Sequence, residues 1–163
     1  MLVVDNKNEV VQDISREKEG EQILQFIGIR LGKELYGIPV VKIRKIAKPL
    51  QITSIPGTTP HIMGLMNLHG EILCVVDVKI LLNMGKVIPG ENSRVVVIKT
   101  AEGLVGVFCD EVIDIYDIVR KNIETALSTL SAEISSYIQG QVQIDCGLMG
   151  ILDIEKLLFK QEK

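Results

Sequence analysis

The sequence predicts an all-β fold with a few short helices, arranged as two similar β-barrel lobes. Short runs rich in Val, Ile and Leu alternate with Gly, Asn, Asp and Pro, which is typical of many short strands rather than long helices. Hydrophobic residues make up 47% and charged residues 24% of the 163 positions, which indicates a globular chain and excludes a disordered one. Segments of the first half also recur in the second half, which predicts two related lobes.

Eight apolar runs are predicted to form strands. The segment 53–60 contains Pro56-Gly57 and Pro60, so it is predicted to be a turn-rich connection. The predicted strands are Ile23–Arg30, Glu34–Ile38, Ile72–Val76, Arg94–Lys99, Leu104–Cys109, Val112–Ile118, Tyr137–Ile144 and Leu148–Leu152.

Two short helices are predicted directly after strands. Asp77 and Asp153 each precede a pair of leucines, and an aspartate in this place accepts hydrogen bonds from the free N–H groups of a first helical turn. A third short helix is predicted over 131–136.

An internal repeat is the most informative feature of the chain. Two pairs of segments align without gaps and with apolar residues at matching positions, and the two members of a third, shorter pair are also similar. Ordered similarities of this kind rarely arise by chance, so they predict two similar β-barrel lobes with few exposed strand edges. The aligned blocks are 37–46 on 106–115, 72–82 on 148–158, and 68–72 on 138–142.

The repeat and the composition predict the domain boundaries. A polar, charge-mixed segment at the start predicts a flexible N-terminal arm over 1–22. The folded part is expected to be one domain, 23–158, with lobes of about 23–90 and 91–158 and a C-terminal tail over 159–163. Because lobes of about 70 residues approach the lower size limit for a self-sufficient core, they should pack together and unfold together.

Composition and charge exclude several classes of function. The net charge is −3, with 18 Lys and Arg against 21 Asp and Glu, and no basic stripe is interleaved with aromatic residues, so nucleic acid is not an expected partner. No apolar run approaches the roughly 18 residues of a membrane span, so no direct membrane insertion is expected. The first residues lack the features of a secretory signal, which predicts a cytoplasmic protein.

Groups that could perform catalysis or bind a metal are sparse. The histidines His61 and His69 lack the spacing of a metal pair or zinc motif, so neither a metal nor a cofactor is expected. Cys74, Cys109 and Cys146 lie far apart without a CxxC pair and are predicted to be three buried thiols. A catalytic dyad of Cys109 with His69 stays open as an alternative, because dyads are spatial rather than sequential.

Four carboxylates cluster in the second half of the chain. Asp110, Glu111, Asp114 and Asp117 lack calcium-loop spacing and neighbour apolar strand residues, so they predict a solvated acidic face rather than a cation site. A chain with abundant aliphatic residues and no catalytic set is best interpreted as a binding module, with a groove between the lobes as a binding surface.

Five motifs follow one another in an order that is typical of one family. They are Leu35-Tyr-Gly-Ile-Pro-Val-Val-Lys-Ile-Arg-Lys-Ile46, Ile55-Pro-Gly57, and the segments 62–77, 105–112 and 151–158. With these motifs, residues 23–158 resemble CheW, the family of bacterial chemotaxis coupling proteins. The resemblance implies two SH3-like five-stranded barrels packed together, in agreement with the repeat.

The resemblance also implies a function. CheW-like proteins are non-enzymatic adaptors that join the cytoplasmic tip of methyl-accepting chemoreceptors to the regulatory domain of the histidine kinase CheA, without a cofactor. The chain is then expected in the cytoplasm, recruited to membrane-associated receptor arrays. An adaptor of another chemosensory pathway, such as pilus-based motility, stays open as an alternative because the sequence does not separate the two.

The family pattern also implies candidate protein-binding residues. The groove between the lobes would receive the receptor tip, and exposed ends of the barrels would contact the kinase domain. Carried over position by position, the candidates for apolar contacts are Ile38, Val40 and Ile43, and the candidates for setting the shape of the surface are Gly64, Asn67 and Gly70.

Two further candidates depart from the family pattern. CheW-like sequences usually carry an acidic residue where this chain has Lys45 and an arginine where it has His69, so the usual pair of opposite charges is missing. His69 also lacks the guanidinium fork that binds a carboxylate through two hydrogen bonds. We therefore expect the partner surface to have changed in compensation, for instance by offering a carboxylate to Lys45.

Overall fold

A computed structural model of the chain describes residues 22–125 and 132–159. The described part consists mainly of strands with three short α-helices, which confirms the predicted fold class. The predicted arm and tail lie outside the described residues apart from Gln22 and Phe159. The elements are β1 (Ile23–Leu31), β2 (Glu34–Pro39), β3 (Ile43–Ala47), β4 (Ile52–Thr53), β5 (Ile62–Leu68), β6 (Glu71–Asp77), α1 (Val78–Leu81), β7 (Arg94–Thr100), β8 (Gly103–Cys109), β9 (Glu111–Val119), α2 (Ala132–Ser135), β10 (Ile138–Ile144), β11 (Gly147–Leu152) and α3 (Ile154–Phe159).

The strands form two sheets of the same topology. The five-stranded sheet has the order β10-β11-β2-β1-β9, and the six-stranded sheet has the order β3-β7-β8-β6-β5-β4. Each sheet has one parallel pair, β11 with β2 in the first and β6 with β8 in the second, while the other pairs are antiparallel. If β4 is set aside, the two strand orders match element for element, which confirms the two similar lobes.

The residue register reproduces the two longer aligned blocks. In the five-stranded sheet Gly37 of β2 pairs with Ile151 of β11. In the six-stranded sheet Gly106 of β8 pairs with Val75 of β6. Gly37 aligns with Gly106, and Val75 aligns with Ile151, so both members of each block occupy equivalent places.

The third, shorter pair of similar segments, 68–72 and 138–142, does not occupy equivalent places in the structure. Residues 68–72 span the turn between β5 and β6, whereas 138–142 lie inside β10. The strand ends that correspond to each other are Leu68 opposite Glu71 and Ile144 opposite Gly147. Five residues around a glycine were too short to distinguish a turn from a bulged strand.

Each sheet is built from both halves of the chain. The hairpin β1-β2 from the first half pairs with β9 on one side and with β11 on the other, and the hairpin β7-β8 from the second half joins β3 to β6 from the first. The strand pairing therefore differs from lobes of about 23–90 and 91–158, because sequence similarity detects the repeats but not the hairpins that they exchange. Backbone hydrogen bonds within each sheet therefore join the two halves of the chain, so unfolding of either half would disrupt both sheets.

The core has three parts that follow from this arrangement. The largest buried cluster lies between the sheets and includes Ile29, Ile38, Ile98 and Val107. One smaller cluster fills the six-stranded lobe and another fills the five-stranded lobe. Burial of these aliphatic side chains is the main force that holds the two lobes against each other.

The predicted helix starts are confirmed. Asp77 is almost completely buried, and its carboxylate accepts hydrogen bonds from the N–H of Lys79 at 3.0 Å and of Val87 at 2.9 Å. Asp153 accepts a hydrogen bond from the N–H of Lys156 at 3.2 Å. The predicted third helix is present as α2, which lies inside the predicted range.

Three strands, β3, β4 and β5, were not predicted. None of the β3 residues is fully buried, so this strand lacks the continuous apolar run that marks its neighbours. β4 has only two residues, and β5 contains an irregularity at Gly64. Tertiary pairing rather than local β propensity selects these segments.

Candidate functional site

A basic face lies on the outer side of the six-stranded lobe. The structure brings Lys45 of β3 and His69 of the β5-β6 turn to the rim of one open cavity of about 280 Å³. Both side chains are exposed, as is Lys48 beside them. The complete lining is Lys45, Ile46, Ala47, Lys48, Leu50, Leu68 and His69.

An apolar groove of about 480 Å³ continues from this cavity. Leu50 lines both the cavity and the groove, and exposed Leu65 and Ile72 provide much of the groove's apolar surface. Ile72 is 61% exposed, which is unusual for a large aliphatic residue on a strand. Aliphatic centres with a charged rim are typical of protein-binding surfaces, so this surface could anchor an apolar side chain of a partner.

The tight β5-β6 turn positions His69. Its two central residues, His69 and Gly70, have φ of 53° and 89°, which is the pattern of a type I′ hairpin turn. The Asn67 side chain accepts a hydrogen bond from the Gly70 N–H at 3.0 Å. Asn67 and Gly70 therefore shape the turn that presents the imidazole.

Gly64 allows the close approach of β4 to β5. Its φ is 144°, and a Cβ atom at this position would overlap the carbonyl oxygen of Thr53. A side chain here would separate β5, which carries Leu65, from β4, which follows Leu50. Gly64 thus supports the surface from below rather than by contact.

The three apolar candidates lie at a different place. Ile38 is completely buried between the sheets, so its side chain is inaccessible to a partner in this structure. Val40 and Ile43 are partly buried against the same cluster. The aliphatic residue exposed here is Val41, which sequence reasoning missed because the family motif gives no burial for individual positions.

The equivalent surface of the five-stranded lobe is acidic. Asp114 and Asp145 lie near the Tyr116 hydroxyl, which is 3.4 Å from the Cys146 sulfur. The hydrogen bond to Cys146, burial and the neighbouring negative charges raise the pKa of Tyr116 to about 12. A groove of about 600 Å³ lies on this lobe and contains the exposed Leu148.

The alternative of a thiol enzyme finds no support in this geometry. Cys109 is fully buried, and burial is the main reason that its pKa rises to about 12, which keeps the thiol protonated and unreactive. His69 is exposed on the basic face. The prediction of three buried thiols is wrong for Cys146, which is exposed because it lies in the β10-β11 turn, while Cys74 is partly buried.

The four clustered carboxylates are engaged separately along the start and edge of β9. Asp110 forms an ion pair with Lys79 at 3.6 Å. Glu111 forms an ion pair with Arg30 at 3.7 Å. Among the described residues, no group of three or more His, Cys, Asp and Glu side chains is placed to hold a metal ion. Within the same ranges, no helix has the length and apolar character needed to cross a membrane.

Comparisons with known proteins agree with this architecture. The profile of the CheW-like domain family matches residues 25–162. The chain is 27% identical to the chemotaxis protein CheW of Helicobacter pylori, over 90% of this chain and 88% of that protein. It is 30% identical to the chemotaxis protein CheW of Klebsiella aerogenes, over 93% and 90%. The crystal structure of the scaffolding protein TtCheW from Thermoanaerobacter tengcongensis has a TM-score of 0.76 and 25% identity, covering 86% of this chain and 90% of that one.

Proposed function

Because the chain belongs to the family of CheW-like domains, we propose that it is a non-enzymatic adaptor that couples methyl-accepting chemoreceptors to the histidine kinase CheA. The observation that carries this proposal is the presence of two separate surfaces with exposed aliphatic residues, one on each sheet. A bridging protein needs at least two binding surfaces, and each of these grooves offers an apolar centre with a polar rim. Such a protein would act in the cytoplasm beneath membrane-associated receptor arrays.

The basic face carries both departures from the family pattern, Lys45 and His69. Lys45 and Lys48 surround an apolar centre, so the face would suit a partner that presents an aliphatic side chain flanked by carboxylates. His69 adds a donor without the fork geometry of arginine. Gly64, Asn67 and Gly70 would support such a contact by shaping the turn and the strands that carry it.

A second candidate function is an adaptor of another chemosensory pathway, such as pilus-based motility. Lys45 and His69 depart from the family pattern, and this departure is the observation that keeps the alternative open. The same grooves would then hold a different kinase and receptor. The two candidates therefore differ in the identity of the partners and not in the mode of binding.

Titration calorimetry with the isolated regulatory domain of CheA from the same organism tests the proposal. We expect saturable one-to-one binding that weakens at least about tenfold in only one of two variants, Ile72→Asp or Leu148→Asp, because only the groove that holds the kinase domain would receive a charge in its apolar contact. Ile88→Asp is the matched control, since Ile88 is 80% exposed and lines neither groove. Wild-type protein that fails to bind at high micromolar concentration would favour the second candidate.

The receptor side needs its own test. We expect Lys45→Glu together with His69→Arg, which restores the family's usual charges, to weaken binding to the chain's own receptor fragment about tenfold. Lys99→Glu is the control, because Lys99 is exposed on β7 outside the basic face. Unchanged affinity in the double variant would remove Lys45 and His69 from the receptor contact.

A further inference from the structure

The groove of the five-stranded lobe combines an exposed aliphatic residue with acidic surroundings. Leu148 in this groove is 48% exposed, and Asp117 and Glu124 belong to its lining. The described residues of the lobe, 22–39, 110–125 and 132–159, contain five Lys and Arg against ten Asp and Glu, a net charge of −5. A segment that covers this groove would therefore need an aliphatic side chain beside cations.

The acidic character is specific to this lobe. The strand register relates Ile46 of β3 to Ile115 of β9, and Leu68 to Ile144 at the two hairpin turns. Neighbouring positions of the two lobes can therefore be compared directly. The basic face has Lys45, Lys48 and His69 where this lobe has Asp114, Asp117 and Asp145.

The sequence just before β1 has the pattern that such a groove requires. Between positions 9 and 21, all five carboxylates occupy odd-numbered positions, whereas both cations, Arg16 and Lys18, occupy even-numbered ones, as do Val10 and Ile14. Successive side chains of an extended segment point to opposite faces, so one face would carry cations and aliphatic side chains without any carboxylate. The odd-numbered face would consist of Glu9, Val11, Asp13, Ser15, Glu17, Glu19 and Glu21.

The chain enters the five-stranded lobe beside this groove. The carbonyl oxygen of Gln22 accepts a hydrogen bond from the N–H of Arg120 at 2.8 Å, and its side-chain oxygen accepts one from the Arg120 guanidinium at 3.0 Å. Val119 and Lys121, which flank Arg120 in the sequence, both line the groove. Gln22 is an even-numbered position, so the side chain that contacts the lobe here belongs to the face without carboxylates.

We infer that residues 10–18 bind in extended form across this groove of their own chain. Ile14 would cover Leu148, and the two cations of the same face would approach Asp117 and Glu124. The carboxylates of the segment would face solvent. Because the segment is tethered, its effective concentration at the groove is on the order of millimolar, so a contact too weak to form between separate molecules would be populated.

The length and the charge order of the segment allow this contact. Ile14 lies eight residues before Gln22, an extended span of at most about 29 Å, and the groove begins beside Arg120. The cations Arg120 and Lys121 would repel Arg16 and Lys18, but the segment places Glu19 and Glu21 nearest to them. The contact should weaken with salt, because exposed charge pairs are screened.

A partner of this groove would have to displace the segment. The affinity for that partner would then be reduced in proportion to the fraction of chains whose groove is free. This consequence rests on the proposed function, whereas the contact itself does not.

Paramagnetic NMR of the full chain tests the contact. A nitroxide is attached at Ser15→Cys, on the odd-numbered face, in a background of Cys74→Ser and Cys146→Ser that removes the two thiols that are not fully buried. We expect the label to broaden the amide signal of Leu148 and to leave that of Ile72 in the other groove unchanged. Raising NaCl from about 50 mM to about 500 mM should restore the broadened signal.

A variant of the same composition separates the sorted charges from the effect of the tether. Arg16→Glu with Glu17→Arg and Lys18→Glu with Glu19→Lys exchanges the charges between the two faces without changing the net charge. We expect the broadening at Leu148 to be lost, because cations and aliphatic side chains no longer share a face. Arg16→Lys with Lys18→Arg is the matched control, which keeps the pattern and should keep the broadening.

Charge reversal on both sides identifies the groove. Asp117→Lys with Glu124→Lys should abolish the broadening at Leu148. Adding Arg16→Glu with Lys18→Glu to this variant should recover it, since the opposite charges are then restored. Circular dichroism confirms that each variant is folded.

Three results would overturn the inference. They are a wild-type segment that gives no broadening at Leu148, broadening that survives the exchange of charges between the two faces, and broadening caused by a nitroxide on a separate copy of the chain. The last result would mean that the segment binds a second copy. In all three cases the adaptor function could still hold, since calorimetry with the kinase domain measures it separately.

Discussion

The basic and acidic faces share one backbone design and differ in the charges placed on it. Both lie at the edge of a sheet with the same strand order, and both include a tight turn and exposed aliphatic residues. The bulge glycines Gly64 and Gly140 are equivalent in the two repeats, whereas outward-facing side chains have diverged to opposite sign. The comparison shows that the repeat preserves the strand order while a few exposed residues determine the charge of each face.

The largest expected effect is a difference in the rate at which cysteine residues are chemically modified. Cys146 is exposed on the acidic face, whereas the basic face has Gly70 at the equivalent place. We expect a maleimide to label Cys146 at neutral pH much faster than Cys109. The pKa of the Cys109 thiol is raised from 9.0 to about 12, and this lowers its thiolate fraction at neutral pH about a thousandfold. Mass spectrometry of peptides after timed labelling measures both rates.

A maleimide attached to Cys146 should block the binding of a partner at the acidic face and leave binding at the basic face unchanged. Cys146→Ser, treated with the same reagent, is the control for labelling elsewhere. Rapid modification of Cys109 in the folded protein would contradict its burial and reopen the thiol-enzyme alternative.

Substitution of the bulge glycines should show how far the backbone designs agree. Gly64 and Gly140 occupy equivalent places in β5 and β10, and a Cβ atom at either would meet a carbonyl oxygen, that of Thr53 or of Glu124. We expect Gly64→Ala to lower the free energy of unfolding by about 3 kcal/mol, and Gly140→Ala by about 2 kcal/mol, because only Gly64 also has a positive φ. Urea denaturation measures both values.

Gly70→Ala provides the matched control for the bulge glycines. Its φ is 89°, but the space around its Cβ position is open, so the expected loss is about 1 kcal/mol. Equal losses at Gly64 and Gly70 would mean that the overlap with Thr53 is relieved at little cost.

The two helix caps should differ although they are equivalent in sequence. Asp77 is buried and accepts two backbone hydrogen bonds, while Asp153 is only partly buried. We expect Asp77→Ala to cost about 2–3 kcal/mol of unfolding free energy, because it leaves the Val87 N–H without its acceptor, and Asp153→Ala to cost about 1 kcal/mol. Thermal and urea unfolding should rank the two variants in the same order. A larger loss of unfolding free energy for Asp153→Ala than for Asp77→Ala would contradict the ranking by burial and hydrogen bonds.

The smallest effects on the free energy of unfolding are expected from two ion pairs. The helix contributes the cation in one pair and the anion in the other. Lys79 of α1 pairs with Asp110 before β9, and Glu155 of α3 pairs with Lys42 before β3. Lys79 and Asp110 are largely buried, so their coupling should be about 1 kcal/mol, against at most about 0.5 kcal/mol for the more exposed Lys42 and Glu155. Double-mutant cycles in urea measure both coupling free energies. A stronger coupling in the exposed pair would show that burial does not determine which ion pair is stronger.

Much of the fold was predictable because strand pattern and capping are local. The strands β6 to β9 and the caps Asp77 and Asp153 were found from apolar runs and turn residues. The exchange of hairpins was not predictable, since either repeat could close its own sheet with the same side-chain pattern. Only the observed pairing of β2 with β11 and of β8 with β6 decides between those arrangements.

The candidate site was predictable in part. The family motif led to Asn67, His69 and Gly70, which lie in or beside the β5-β6 turn, and to Lys45, which lines the same cavity as His69. It also led to Ile38, which is buried, because a motif does not separate core positions from contact positions. The exposed aliphatic residues Leu50, Leu65 and Ile72 were missed, although aligning the charges of the two repeats would have indicated the surface around them.

The claim that the chain bridges a receptor and a kinase is tested most directly by co-sedimentation of all three components. Membranes that contain a chemoreceptor of the same organism are mixed with CheA, with and without this protein, and the kinase in the pellet is measured. We expect the kinase to pellet with the receptor only when this protein is present, and Ile72→Asp or Leu148→Asp to reduce the amount. Kinase that pellets equally without the protein, or a protein that binds receptor and kinase only in competition, would contradict it.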